Sequence, residues 1–247
     1  MEREIETIIA EKLLELNRPD LYRQPITAFS AANDRRYAQL KEIIGDWSLN
    51  PIEIMPKAKS VISYFIPYTK KLTDEPKKHE DASYVWAEAY ELINKHFHDI
   101  NEAVVKYLIS KGFLAESIIV TYDHDILRAV WSHKSAAAIA GLGVFGANRL
   151  LITEKGSSGR YGSIITSAKL EANENTLTDK CLYIKSGSCG LCFKICPVNA
   201  LAPNSFDKFS CKNVLLKNKK ILQETSQLEH VDVCGKCISI CPLAYVE

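Results

Sequence analysis

Apolar residues recur at 5, 8, 9, 13 and 16 of the first stretch with acids between them, a helical period that predicts an amphipathic helix over residues 1–16. Prolines at 19, 25 and 51 punctuate the following stretch around a second predicted helix, Asp34 to Ile44. Val61-Ile-Ser-Tyr-Phe-Ile66 is β-branched and aromatic and is stopped by Pro67, which predicts a buried strand. The charged run 69–81 reads as a solvated loop. From Ala82 to Lys111 the apolar positions return to a helical period, and Gly112 stands where such a helix stops. His96 and His98 lie two apart on it and point to different faces, which speaks against a shared metal site. Ser117–Thr121 predicts a further strand, Asp125 is placed to cap a helix over 126–140, and 150–153 and 163–167 predict two more strands. Strands separated by helices ahead of a different kind of tail describe an α/β domain at 1–175 and a second unit at 176–247.

Composition changes this picture in two ways. Lys+Arg 31 against Asp+Glu 30 leaves a net charge of +1, so no global field recruits nucleic acid or an anionic membrane. The first helix has neither a basic leader pattern nor a twin-arginine pair, and the longest weakly charged run, 135–148, is too short and glycine-rich to span a bilayer. A cytoplasmic protein is expected, with no membrane partner.

All 8 cysteines lie from Cys181 onward, and six of them form two copies of one pattern. Cys189-Gly-Leu-Cys192-Phe-Lys-Ile-Cys196-Pro197 is repeated as Cys234-Gly-Lys-Cys237-Ile-Ser-Ile-Cys241-Pro242. Cys181 and Cys211 each precede one copy, and the two sets of four match the ligand count of two [4Fe–4S] clusters. Bacterial ferredoxins use C-x2-C-x2-C-x3-C-P; here Ser186 and Val231 stand where the first cysteine of each run would be, so Cys181 and Cys211 are the candidates for that place. A disulfide scaffold would not leave a long cysteine-free stretch ahead of it, and zinc sites do not need the Cys-Pro ending twice. If the ferredoxin crossing rule holds, one cluster is held by Cys181, Cys189, Cys192 and Cys241 and the other by Cys211, Cys234, Cys237 and Cys196. A local arrangement, in which Cys196 serves its own neighbours, is the alternative. Oxygen-sensitive clusters point to an anaerobic or reducing cell.

Gly141, Gly143 and Gly146 fit G-x-G-x-x-G, but that fingerprint must follow a strand and open a helix. Here it follows the helical Ser135-Ala-Ala-Ala-Ile-Ala140 and opens a strand, so the glycines read as a helix stop and a close-approach turn.

Taken in order, Pro56–Ile62 with Pro67-Tyr68, Ser132-His-Lys134, Ala140–Gly146 with Asn148 and Leu150–Ile152, Gly162–Thr166 and the twin cysteine motifs resemble the epoxyqueuosine reductase family and, more distantly, the corrinoid reductive dehalogenases. The resemblance runs from about residue 56 to the end. It implies a nitroreductase-like mixed-sheet domain, α/β or α+β in class, followed by a ferredoxin-like bis-[4Fe–4S] domain. It further implies a cobalamin beside the clusters, with Ser132, His133, Lys134, Gly141, Gly143, Gly146, Asn148, Tyr161 and Ser163 near it. The family's proton-donating acid falls by position in the neighbourhood of Tyr122, Asp123 and Asp125, where Asp125 also reads as a helix cap.

Three functions are open on these grounds. The first is an iron–sulfur oxidoreductase that passes electrons through two clusters to a cobalamin-type cofactor and a small-molecule or modified-nucleoside substrate. The second is a non-enzymatic ferredoxin-like carrier serving a redox partner protein, and the third a reductase with FMN on the same fold. The chain ends at Glu247, short of the helical-repeat domain that family members append. The one basic group in the second unit is Lys217, Lys219 and Lys220, so tRNA is expected not to bind.

Overall fold

In the computed structural model, which describes residues 1–118, 122–123, 126–174 and 178–247 (Tyr122 by its backbone alone), every position of the strand Ser60–Pro67 is buried. It is the second of four strands, β1 (Ile26–Ala31), β2 (Ser60–Pro67), β3 (Ala115–Ser117) and β4 (Gly159–Thr166), paired in the order β1-β2-β4-β3. All three pairings are antiparallel, where a mixed sheet was expected; Phe29 lies opposite Ile62, and Ser63 opposite Ser163.

Alternation along β2 sends its side chains into two cores. Ile62, Tyr64 and Ile66 pack against α1 (Glu2–Glu15) and α2 (Tyr84–Ser110), while Val61 and Phe65 face the side that carries α3 (His133–Ile139). Ile5, Ile9 and Leu13 of α1 are buried at a spacing of four, the stripe that the apolar period predicted. Tyr64 is fully buried and its hydroxyl donates to Asn101 Oδ1 on α2 at 2.7 Å, so the polar group enters the core already satisfied.

Three local expectations are corrected. Strand β1 lies in a stretch read only as punctuated loop, because its Ala and Ser positions blur the alternation. The helix predicted over 126–140 begins only at His133: Leu127 has a φ of 53°, outside the helical range, and Arg128–Ala129 pairs with Tyr122–Asp123 as a short hairpin. Ser132 is the cap, its hydroxyl accepting from the Ser135 N–H at 3.1 Å; Asp125 lies outside the described residues. The strand predicted over 163–167 begins earlier than expected, since β4 already starts at Gly159. Gly162 belongs to that strand because a Cβ there would stand 2.2 Å from the Tyr64 ring.

The cysteine-bearing part contains the short helices Leu182–Ser186, Leu191–Lys194 and Lys236–Ser239 and the longer α4 (Lys208–Thr225). Leu222, Val231 and Val233 join the core of α1 and α2, whereas neither Leu182–Ser186 nor Leu191–Lys194 buries a residue. Glu91 of α2 fastens the two parts, accepting from the Glu229 and His230 N–H groups at 2.9 and 2.7 Å. Burial works to raise the Glu91 carboxyl; those N–H groups and Lys95 outweigh it and leave it below its ordinary value. The expected division at 175 and 176 falls on residues outside the described ones. Among the described residues no helix is long and apolar enough to cross a membrane.

The chain end is seated against the loop before β4, where Ser157 and Ser158 donate backbone N–H bonds to Leu243 and Ala244. Gly156 sits there with a φ of 98°, and a Cβ would stand 2.3 Å from the Ala244 carbonyl oxygen. Gly156→Ala is therefore expected to cost at least about 2 kcal/mol, the left-handed conformation alone accounting for roughly 1–2. Urea unfolding at constant metal content measures it, with the exposed Glu154→Ala as a control expected to fall within about 0.5 kcal/mol of the parent.

Candidate metal centre

The structure parts the eight cysteines into two sets of four. Cys181, Cys189, Cys192 and Cys241 line a narrow cavity closed by Leu182, Leu191 and Leu243. Cys196, Cys211, Cys234 and Cys237 line a second and larger one, about 510 Å³, that runs on into a cleft walled by the sheet domain. Cys196 thus sits with the second motif and Cys241 with the first. Local structure explains the reach: Cys181 opens the helix Leu182–Ser186, and Cys211 lies in the first turn of α4, whose start Asp207 caps through the Phe209 and Ser210 N–H groups. In the first motif, Cys196 turns away after Leu191–Lys194, its Sγ accepting from the Ala200 N–H at 3.2 Å.

Electrostatics agree with this division. Burial pushes the Cys192 thiol up to about 11, and Cys241, Cys181 and Cys189 are the neighbours whose charge adds to the rise. Burial likewise brings Cys211 up to about 11, beside Cys234 and Cys196. Cys237 rises to about 12, again through burial first, with Cys234, Cys211, Cys192 and Cys196 around it. Cys192 and Cys237 are therefore where the two sets meet. Such thiols stay protonated near neutral pH unless a metal takes the place of the proton.

The donor chemistry fits iron–sulfur clusters. Four thiolates around one zinc ion would stand roughly 3.8 Å apart, given a Zn–S bond of about 2.3 Å. Among the described residues, no three His, Cys, Asp or Glu side chains could share a single metal ion. Each set instead surrounds a space, as ligands of a multi-iron core do.

One turn borders both cavities. The hairpin of Gly143–Phe145 with Leu151–Thr153 places Ala147, Asn148 and Ile152 on the first cavity and Asn148, Arg149 and Leu150 on the second. Asn148 donates to the Cys237 carbonyl oxygen at 3.2 Å and accepts from the Leu150 N–H at 3.3 Å. The glycines make this hairpin: Gly141 ends α3 with a φ of 84°, and Gly143 leaves no room for a Cβ, which would stand 2.5 Å from the Ile152 carbonyl oxygen. Gly141 itself faces a different hollow, with Glu154 and Asn173.

The other expected residues separate into groups. His133 Nδ1 and Ser163 Oγ stand 2.6 Å apart, and Trp131 Nε1 donates to the same Oγ at 2.9 Å. Burial first, and then the Arg160 charge, bring the His133 pKa down to about 4, so the ring is neutral. Ser163's own proton then has Nδ1 as its acceptor, which leaves the imidazole proton on Nε2. Lys134 lines the larger cavity, its ammonium donating to the Arg149 carbonyl at 3.4 Å, and burial followed by Arg160 lowers its pKa. Tyr161 is held elsewhere, its hydroxyl on the Leu151 carbonyl at 2.9 Å and its ring stacked on Phe65. Ser132 serves as the cap of α3. Of the acid candidates, Asp123 is exposed and accepts from the Ile126 N–H at 3.2 Å, the Tyr122 side chain is outside the description, and Asp125 lies beyond the described residues. Trp86, Tyr90 and Arg149 also line the larger cavity and were not singled out from the sequence. Trp86 and Tyr90 could not be, because on a helix they read as ordinary apolar positions.

Known proteins share these features. A family described as a 4Fe-4S double cluster binding domain matches residues 185–244. The epoxyqueuosine reductase of Bacillus cereus is 28% identical over 205 residues, covering 78% of this chain and 50% of the relative. The chain resembles the epoxyqueuosine reductases. It spans about half the length of the two curated Bacillus relatives compared, from B. cereus and B. subtilis. Its fold is that of solved epoxyqueuosine reductases, including one in complex with an epoxyqueuosine-modified tRNA stem loop: TM-score 0.58, 19% identity, 97% of this chain and 66% of that one. A reductive dehalogenase whose structure suggests a mechanism for B12-dependent dehalogenation aligns with a TM-score of 0.57 at 14% identity, over 88% of this chain and 29% of its own. The complex with the tRNA stem loop overturns the expectation that tRNA is excluded as a partner. That expectation rested on counting lysines in one unit and on where the chain ends, and neither tests a cleft that both units line.

The neutral state of His133 has a pH consequence. Its folded pKa, about 4, lies below the unfolded value of 6.5, so folding disfavours protonation. The stability this represents is fully present above about pH 6.5 and is lost as pH falls toward 4. A difference on the order of 2 kcal/mol between those limits is expected in urea midpoints, and His133→Gln should lack that slope. Equal slopes in the two proteins would show that His133 is not held neutral.

Proposed function

We propose that this chain is a cytoplasmic iron–sulfur oxidoreductase in which Cys181, Cys189, Cys192 and Cys241 hold one [4Fe–4S] cluster and Cys211, Cys234, Cys237 and Cys196 hold the other. The larger cavity and its cleft receive a cobalamin-type cofactor, and the substrate is a modified nucleoside carried in tRNA. When bound, the clusters and the corrinoid supply low-potential electrons at the cleft. The observation that carries this reading is the division of eight thiols about two adjoining cavities, the second of which opens onto the sheet domain. The dehalogenase neighbour supports the choice of corrinoid over FMN, and the neighbour with a tRNA stem loop supports the choice of substrate.

The protein's own part is arrangement. Asn148 ties the hairpin turn to the Cys237 backbone, which fixes the second cysteine set against the cleft. His133 offers a neutral Nε2–H held in place by Ser163 and Trp131, a donor that stays in the same protonation state across the working pH range. The segment 122–125 is the proton source in this reading, with Asp123 and Asp125 as its carboxyl groups and Tyr122 as its phenol.

Anaerobic purification followed by iron, sulfide, cobalt and flavin analysis tests the cofactors. About eight irons per chain are expected, with cobalt approaching one after incubation with cobalamin. Cobalt far below one per chain would overturn the corrinoid reading, and bound FMN would replace it with a flavin reductase. The ligand sets have a separate test. Cys196→Ala should remove the reduced-state paramagnetic signal that Cys234→Ser removes and spare the one that Cys189→Ser removes; loss of the Cys189 signal instead would establish a local arrangement.

A further inference from the structure

One wall of the larger cavity is rich in donors and poor in acceptors. Arg160 is half-buried; its Nε donates to Asn94 Oδ1 at 3.2 Å and its guanidinium lies 4.5 Å over the Tyr90 ring. That hold pins the side chain against α2 and leaves both terminal nitrogens without a partner among the described residues. Among the described residues the Lys134 ammonium has a single acceptor, the Arg149 carbonyl at 3.4 Å. Tyr68 is 2% exposed, stands edge-on to Trp86, and its buried hydroxyl has no hydrogen-bond partner. Both Tyr68 and Arg160 line the cavity; burial raises the Tyr68 hydroxyl and the Arg160 charge works against that rise. Among the described residues, the one acidic side chain lining the cavity is Asp232, and it is paired with Lys219 at 3.2 Å.

A buried donor without an acceptor is costly, and so is a cation withdrawn from water without a counter-charge. The thiolates of the second set are one counter-charge, and Lys134 lies within their influence. Arg160 and Tyr68 are held by Asn94, Tyr90 and Trp86. A planar fork, an ammonium and a hydroxyl around one space match the several acceptor oxygens of a phosphate, and the aromatic rings beside them suit a ring attached to it.

We propose that Arg160, Lys134 and Tyr68 form a phosphate site in this cleft, which takes the phosphate ester of a nucleotide-like ligand. The site deepens the function proposed above and rests on it only for the source of the ester, which is either a cofactor carrying a nucleotide tail or a strand of RNA.

The test compares ligand pairs that differ in the phosphate, by anaerobic equilibrium dialysis against the cluster-loaded protein. Cobalamin is set against cobinamide, which lacks the nucleotide tail, and FMN against riboflavin. An RNA stem loop is titrated at several salt concentrations. At least one phosphate-bearing probe should bind about tenfold or more tightly in the parent than in Arg160→Gln and Lys134→Gln, as charge-assisted contacts of this kind predict. Its phosphate-free partner should bind all three proteins alike. Tyr68→Phe should weaken the same probe by a smaller factor, and Arg160→Lys should recover part of the loss, which separates the site from a folding defect. A cofactor source appears in the cobalamin or FMN pair; an RNA source appears as a salt slope reduced by about one in Arg160→Gln. If no phosphate-bearing probe binds the parent better than its partner and the RNA titration is the same in Arg160→Gln, the site does not exist. Cobalt analysis fails or succeeds independently, so loss of the corrinoid reading leaves the FMN and RNA arms to decide the phosphate site.

Discussion

Eight half-buried thiols, with too little apolar surface around half of them to hold a fold, set the terms for the rest of this protein. The helices Leu182–Ser186 and Leu191–Lys194 bury no residue. Leu182, Ile184 and Leu191 are all more than 40% exposed, so this half of the unit has almost no hydrophobic core of its own. Segments of this size are held by metal when they are held at all. Each cysteine raised by burial is a group that a metal can convert from a cost into a bond, and the arrangement only makes sense with the cavities filled. The other half is different in kind. Leu222, Val231 and Val233 are continuous with the core of α1 and α2, so that half belongs to the body of the protein with or without metal.

This asymmetry orders the molecule from surface to cleft. The first cysteine set lies under exposed apolar residues at the outside, and the second is pressed between α4, α2 and the sheet domain. Cys192 and Cys237, neighbours in charge, join them. The better-supported set is the one beside the cleft. Two fastenings lie on the second set's side, Glu91 on the Glu229 and His230 backbone and Asn148 on Cys237, while the chain end, held by Ser157 and Ser158, borders the first set.

Much of this was legible in the sequence, and the failures have particular causes. The twin cysteine motifs specified their metal because ligand number and spacing are a chemical constraint that no packing detail can disguise. The buried strand β2 and the long helix α2 were clear because their apolar periods are sustained. Strand β1 was missed because Thr, Ala and Ser leave its alternation faint, and the helix over 126–140 was overlong because nothing in the residue types announces a left-handed Leu127. The cleft was harder still. Arg160, Tyr68 and Lys134 are brought together by the pairing of β2 with β4 and by the packing of α3, and no local pattern encodes such a meeting. The misjudgement about tRNA came from counting charge along one unit alone.

The glycine segment 141–146 shows how a motif acquires its meaning from what stands on either side of it. In a dinucleotide-binding unit the same spacing would bring a backbone against a pyrophosphate at a helix start. Here the glycines let two strands approach so closely that a Cβ at Gly143 would collide with the Ile152 carbonyl, and the turn they create is thin enough to be a shared wall. Ala147 and Asn148 look into one cysteine cavity, and Asn148 and Arg149 into the other. A bulkier hairpin would have pushed the sets apart, and a pair of clusters separated by even a few additional ångströms would exchange electrons more slowly. The small residues are therefore best understood as a spacing device between two metal sites, with Asn148 as the single side chain among the described residues that borders both and holds the second by its backbone.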